Sequence, residues 1–218
     1  MSRHLPDTAS IAHPGEGEKL VAPSAARNVG AICDLLDMIA PANGPALELA
    51  SGTGQHITAY AARFPDLQWQ PTEIDRARRA SIDSYAATAG LGNIAPALQL
   101  NAAQPGWGAR HRGQALILLS NLLHLISETE TKVVIAEAAM ALAPGGKFLI
   151  YGPFMRGGDL TSDGDIRFHA SLTEHDPEIG YKDDFDTMDL LQEKGLEMVD
   201  VIEMPANNLA LIAQKPTF

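Results

Sequence analysis

The chain has 218 residues, enough for one α/β domain with a sizeable core. Its formal charge of -11, from 27 acidic and 16 basic residues, argues against duplex nucleic acid as a partner, which requires concentrated positive charge, without excluding a small local basic pocket. A single cysteine, Cys33, excludes an intramolecular disulfide and fits the cytoplasm; no apolar run reaches the length of a membrane span, and residues 1–17 lack the apolar stretch of a signal peptide.

Residues 1–22 read as an arm or a flap over the site, and 23–218 as one domain. Val29, Ile32, Leu35, Leu36 and Ile39 recur at helical spacing, and the stretch 41–45, with Asn43 and Gly44, turns the chain. The apolar run 46–50 reads as a buried strand, followed by Ser51-Gly52-Thr53-Gly54 and a helix over 55–64. Strands are expected at 67–70, 97–100, 115–119 and 147–151, with helices over 75–87 and 128–142. Ser127 and Glu130 form the pattern of a capping box at the second of these helices, and Pro144-Gly145-Gly146 reads as a sharp turn after it. The segment 152–182 has no simple period and reads as a lid or an acceptor-site insertion. A helix over 183–194 and two strands at 198–203 and 209–214 complete the chain, the strands joined directly enough to pair as an antiparallel hairpin. Alternating strands and helices predict a mostly parallel sheet with helices on both faces.

The strand-turn-helix at 46–56 places glycines where a ligand can approach the backbone closely. In such sheets ligands sit beyond the carboxyl ends of the strands. Ala50 stands where a dinucleotide fingerprint has its first glycine, and a carboxylate at Glu48 repels a pyrophosphate but attracts a cationic amino-acid end. Glu73, near the end of the second strand, has the chemistry to accept both hydroxyls of a ribose. A nucleoside joined to an amino acid without phosphate points to S-adenosylmethionine. Taken singly, the glycines also fit an ordinary tight turn, Glu48 a solvated edge and Glu73 a helix cap.

Seven stretches carry a closer resemblance: PSAARN at 23–28, LELASGTGQH at 47–56, QPTEID at 70–75, SNLLHLIS at 120–127, LAPGGKFLIYGPF at 142–154, GDLTSDGDIRFHASL at 158–172 and MPANNLALIAQK at 204–215. Together they resemble the DUF938 family, which includes the methyltransferase-like protein 26 group, within the class I methyltransferases. The resemblance implies a Rossmann-like, mostly parallel seven-stranded sheet with a terminal antiparallel hairpin. It also implies transfer of a methyl group from S-adenosylmethionine, leaving S-adenosylhomocysteine, to a small-molecule acceptor through O, N or S. Glu48 would lie near the methionine amino group, Ala50, Ser51, Gly52 and Gly54 along the pocket wall, and Glu73 at the ribose. Asn121 would line the methionine side. Asn101 would meet the adenine edge, although the family pattern has an acid there.

On the acceptor side, His124 follows the fourth strand three residues after Asn121, so the two can share a face. It is the first choice for a general base, because an imidazole titrates near neutral pH. Tyr151, at the end of the fifth strand, is the second catalytic candidate. Arg27, Asn28, His56, Phe154, Asn207 and Asn208 are the candidates for holding the acceptor. Arg27 has the planar fork that binds a carboxylate bidentately. Asp165, His169, His175 and Asp176 match no metal-ligand spacing, so no metal is expected. Neither nucleic acid nor membrane is an expected partner, and the chain is read as a monomer or homodimer. The competing functions are a regulator or scaffold that binds S-adenosylmethionine without turnover, and a nucleotide-dependent oxidoreductase.

Overall fold

The computed structural model describes residues 5–6 and 9–217. The outermost part of the arm, residues 1–4 and 7–8, lies outside the described residues. The rest of the arm carries two short antiparallel strands, β1 (His13–Pro14) and β2 (Leu20–Val21). It is tied to the body by Arg78, which donates to the Ser10 carbonyl and hydroxyl, and by the Leu20 amide, which donates to Ser81 Oγ.

Helix α1 (Pro23–Ile39) starts on a proline, whose fixed φ suits the first helical turn, and buries Ile32, Leu35, Leu36 and Ile39. It stops at Ala40, which is extended ahead of Pro41. Strand β3 (Gly44–Leu49) follows with a two-residue period: Leu47 and Leu49 join one core, Ala46 the other. Then come α2 (Gln55–Arg63), β4 (Leu67–Pro71) and α3 (Arg76–Ala89). Asp75 caps α3 by accepting from the Arg78 amide, and Gly90 ends it at a φ of 64°. Strand β5 (Gln114–Ser120) leads through a 3-10 turn at Leu123–Leu125 into α4 (Glu128–Ala141). Both halves of the capping box between Ser127 and Glu130 are present. Strand β6 (Leu142–Met155) precedes α5 (Asp163–His175), β7 (Lys182–Asp183), α6 (Asp184–Glu193), β8 (Glu197–Met204) and β9 (Asn208–Gln214).

The main sheet has seven strands, six of them in the order β4-β3-β5-β6-β9-β8, with β7 added beside the end of β6. Strands β4, β3, β5 and β6 run parallel, and β9 and β8 close the sheet as an antiparallel hairpin. One core lies between the sheet and α1, α2 and α3, around Ile32, Leu36, Ile57, Tyr60 and Ile82. The other lies under α4 and α6, around Val134, Ile135, Ala138 and Leu191. The doubly wound expectation holds.

Two local expectations differ, and a third region gains an element that its sequence did not announce. Residues 97–100 do not form a strand; they make one isolated bridge, Leu98 opposite Thr72, the residue after β4. Pro71 and Pro96 have no N–H to give, so the ladder at this edge cannot run on. Pro144-Gly145-Gly146 is not a turn before a strand but an irregularity within β6, where the register against β5 shifts between Gln114 and Leu116. A Cβ on Gly146 would stand 2.5 Å from the Gln114 carbonyl oxygen, so only glycine lets the two strands meet there. Finally, the segment 152–182 holds the helix α5, which buries only Asp165 and Leu172. So narrow a buried face leaves no apolar stripe to read.

Candidate functional site

Strands β3, β4, β5 and β6 direct their carboxyl ends to one edge of the sheet, and the turn 50–54 leaves β3 there. The turn is held against the end of β4. The Ser51 amide donates to the Thr72 carbonyl at 2.8 Å. The Thr72 amide and hydroxyl both donate to the Glu48 carbonyl, at 3.0 and 2.8 Å. Thr72 is wholly buried; sequence reasoning passed over it, although it directly precedes Glu73. Gly54 has a φ of 96°, and a Cβ on it would stand 2.7 Å from Ile82 Cα. Glycine is therefore required by conformation and by the packing of α3. Ala50 adopts a φ of 50°, the left-handed region, in the place of the missing fingerprint glycine.

Glu73 is buried at the same edge. Its Oε1 accepts from the Ile74 and Asp75 amides, and its Oε2 accepts from the Gly52 amide at 3.1 Å. A carboxylate offers about four acceptor positions. Oε2 therefore keeps a lone pair beyond the single backbone donor it takes. Glu48 lies on the face toward α2, 2% exposed, and its Oε2 has no hydrogen-bond partner. Burial pushes its carboxyl up to about 8, opposed by a hydrogen bond with Ser51 and reinforced by the Glu73 charge.

Around Glu48 the structure assembles a buried polar group drawn from several elements. Tyr60 of α2 and Tyr151 of β6 are both buried, and neither hydroxyl makes a hydrogen bond of good geometry. Burial raises both, Tyr60 with the added charge of Glu48; Ser120 beside Tyr60 and Asn28 beside Tyr151 act the other way. Asn28 Oδ1 lies 2.7 Å from His56 Nε2, and the His56 ring stacks on Tyr60 with centroids 5.6 Å apart. Burial lowers His56 to about 4. Asn28, His56 and Tyr151, named from sequence, thus come together with Glu48. Tyr60 was missed, although it lies one helical turn after His56 on the same face.

The remaining candidates are spread along the edge. Asn121 follows β5 at a φ of 55°, with its amide donating to the Tyr151 carbonyl. Asn101 is partly exposed, and its Oδ1 accepts from the Ala103 amide. Phe154 faces the core under α4 and α6, so the structure separates it from Tyr151, which faces α1 and α2. Arg27 is exposed on α1, one residue before buried Asn28.

His124 is buried in the 3-10 turn, with its ring set edge-on to Phe168 and Tyr181 at 5.7 and 6.2 Å. Burial and the Lys182 charge lower it to about 3, and its ring makes no hydrogen bond among the described residues. Lys182 donates to the Ile126 and Gly180 carbonyls. Asp165 anchors this region: it accepts from Tyr181 Oη at 2.9 Å, Ser162 Oγ at 2.6 Å, Thr161 Oγ1 at 3.2 Å and Asn207 Nδ2 at 3.2 Å. Burial would raise Asp165, but these bonds hold it below the usual carboxylate range. Asn208 turns inward on the hairpin, donating to the Pro205 carbonyl, while Arg156 holds the Asn207 carbonyl. Among the described residues no group of three or more His, Cys, Asp or Glu is placed to hold a metal.

The family described as "Protein of unknown function (DUF938)" matches residues 19–215. The chain belongs to DUF938. Among solved structures, this DUF938 chain resembles an O-methyltransferase family protein from Burkholderia thailandensis (TM-score 0.75, 18% identity), covering 89% of this chain and 58% of that one. It also resembles a putative O-methyltransferase from Nostoc punctiforme (TM-score 0.76, 17% identity, 88% of this chain and 57% of that one). A third is human N-acetylserotonin methyltransferase in complex with SAM (TM-score 0.71, 13% identity, 89% and 53%). The DUF938 chain therefore has the class I methyltransferase fold, and spans a little over half the length of these structures.

Proposed function

We propose that this DUF938 protein is an S-adenosylmethionine-dependent methyltransferase acting on a small molecule. The observation that carries the reading is the pair of buried carboxylates at one sheet edge, Glu48 with an unpartnered oxygen and Glu73 fixed by three amides beside the turn 50–54. Two carboxylates, with the neighbouring Arg79 turned to the Glu73 and Ile74 backbone carbonyls, repel phosphate and suit a ligand with an ammonium at one end and ribose hydroxyls at the other. Glu73 would hold the ribose, Glu48 the amino-acid end, Gly52 and Gly54 the close approach of the backbone, and Asn101 and Asn121 the flanks. When bound, S-adenosylmethionine supplies an activated methyl on a sulfonium. The protein's own contribution is alignment and exclusion of water, which supply a large part of a transfer barrier.

On the acceptor side the reading places His124, Asn207 and Asn208 with Tyr181. A buried imidazole lowered to about 3 is neutral at physiological pH and serves as base only for an acceptor that sheds its proton readily. The net charge of -11 favours a small molecule over nucleic acid, in the cytoplasm.

The test is calorimetric titration of the purified protein with S-adenosylhomocysteine, with NADH as the control. Saturable binding of S-adenosylhomocysteine alone, weakened at least about tenfold by Glu73→Ala with the fold retained, is the expected result; one lost hydrogen-bonded charge is worth that much. Binding of NADH instead would support the oxidoreductase alternative and overturn this one.

A further inference from the structure

Four buried polar atoms among the described residues lack a hydrogen-bond partner: Glu48 Oε2, Tyr60 Oη, Tyr151 Oη and Gln114 Oε1. Gln114 opens β5 at the far end of the sheet. The other three belong to one group. Glu48 and Tyr151 lie toward the carboxyl ends of β3 and β6, flanking β5, and their side chains share the face covered by α2. Tyr60 reaches over them from α2, close enough for the Glu48 carboxyl and the Tyr151 hydroxyl to bear on its own hydroxyl. Such atoms are rare in folded proteins, because each forfeits its hydrogen bonds to water without replacement. Three in one place, at the ligand-binding edge of the fold, need an occupant.

The neighbours define what that occupant is. Glu73, Ser51, Ser120, Asn28, His56 and Cys33 border the group, and none brings a positive charge. The group offers three oxygens without partners, one of them on a carboxyl group whose ionised form an arriving ammonium favours. A primary ammonium has three N–H donors and one positive charge.

We propose that Tyr60 and Tyr151 join Glu48 in receiving the ammonium group of the bound cofactor, so that two tyrosine hydroxyls, rather than the carboxylate alone, select an amino-acid end. The proposal rests on the S-adenosylmethionine reading above, and it moves Tyr151 from the acceptor side to the cofactor side. The hydroxyls are held ready: His56 stacks on Tyr60, and Asn28 fixes His56 while standing beside Tyr151. Unmet polar groups fixed in advance cost stability in the empty protein and raise selectivity for a ligand that meets them.

Tyr60→Phe and Tyr151→Phe separate the possibilities. Each is compared with the wild type in urea denaturation without ligand, and in titrations with S-adenosylhomocysteine and with 5′-methylthioadenosine, which lacks the amino-acid end. Each substitution should leave the denaturation midpoint of the empty protein unchanged or raised. It should weaken S-adenosylhomocysteine about tenfold and leave methylthioadenosine affinity unchanged. A lowered midpoint would show that the hydroxyl is already satisfied in the empty protein, by Ser120 or Asn28 or by an ordered water, and would overturn the proposal. So would an equal loss for both ligands, or no loss for either, while the methyltransferase reading stood on wild-type binding. Wild-type protein that binds neither ligand would sink both.

Discussion

Glu48, Tyr60 and Tyr151 at one part of the sheet edge, and Asp165 and Tyr181 at another, are all buried, yet their polar atoms are treated in opposite ways. The first group leaves three acceptors without partners. In the second, Asp165 takes four side-chain donors, His169 Nδ1 accepts from the Tyr181 amide, and Lys182 gives protons to two carbonyls. A saturated cluster fastens segments together: Asp165 links α5, Tyr181 just before β7 and the β8–β9 turn. An unsaturated one spends stability on readiness for a ligand. On the reading proposed above, the same residue types act as a rivet in one place and as a receptor in the other, and the difference is measurable in the protein without any ligand.

The largest expected effect tests the rivet. Asp165→Ala strands the buried Tyr181 hydroxyl, removes a partner of the Ser162 cap of α5 and frees the Asn207 amide. Losing hydrogen bonds to a charged group while orphaning a buried donor should cost about 3 kcal/mol. Urea denaturation reads this directly. A loss no greater than that of Tyr60→Phe would erase the distinction between the two clusters.

Next in size is a dependence of stability on pH. Glu48 in the folded protein keeps its proton up to about 8, whereas the unfolded chain releases it at about 4. Its contribution is therefore whole below the unfolded value and is lost as pH rises through about 8. His56 and His124 have the opposite sign. Lowered to about 4 and about 3, they contribute fully above the unfolded value of about 6.5 and lose that contribution as pH falls through the folded values. These three groups place the stability maximum near pH 6 to 7, with a decline of up to about 1.4 kcal/mol per pH unit on the alkaline side from Glu48 alone. Glu48→Gln should abolish that alkaline decline in urea unfolding between about pH 6.5 and 8. A decline of the same steepness in the variant would mean that Glu48 is ionised in the empty protein and is not part of a starved cluster.

The receptor was more legible in the sequence than the rivet, for a physical reason. The turn 50–54, Glu48 and Glu73 sit in continuous motifs whose glycines and acids announce a close ligand approach. Tyr60 was passed over inside the helix expected at 55–64; its spacing from His56 held the information. The Asp165 cluster is assembled from α5, the stretch before β7 and the hairpin turn, which are remote in sequence and carry no shared period. Helix α5 itself buries too little to show as a stripe. The strand expected at 97–100 failed at prolines in both partners, a backbone limit that an apolar run does not reveal.

The smallest effect concerns the strain in the receptor's own turn. Ala50 holds a φ of 50°, where a Cβ crowds its carbonyl and costs about 1 kcal/mol. Asn121, at the same edge, holds a φ of 55° but is a residue type that tolerates this region. Ala50→Gly removes the clash while giving the unfolded chain more freedom, which offsets part of the gain. The net expectation is a stabilisation of up to about 1 kcal/mol in the empty protein. Where the Ala50 methyl touches what binds at the turn, S-adenosylhomocysteine affinity falls as stability rises. A variant that gains stability and keeps its affinity would show that Ala50 is merely tolerated, and that readiness for the ligand resides in Glu48, Tyr60 and Tyr151 rather than in the turn.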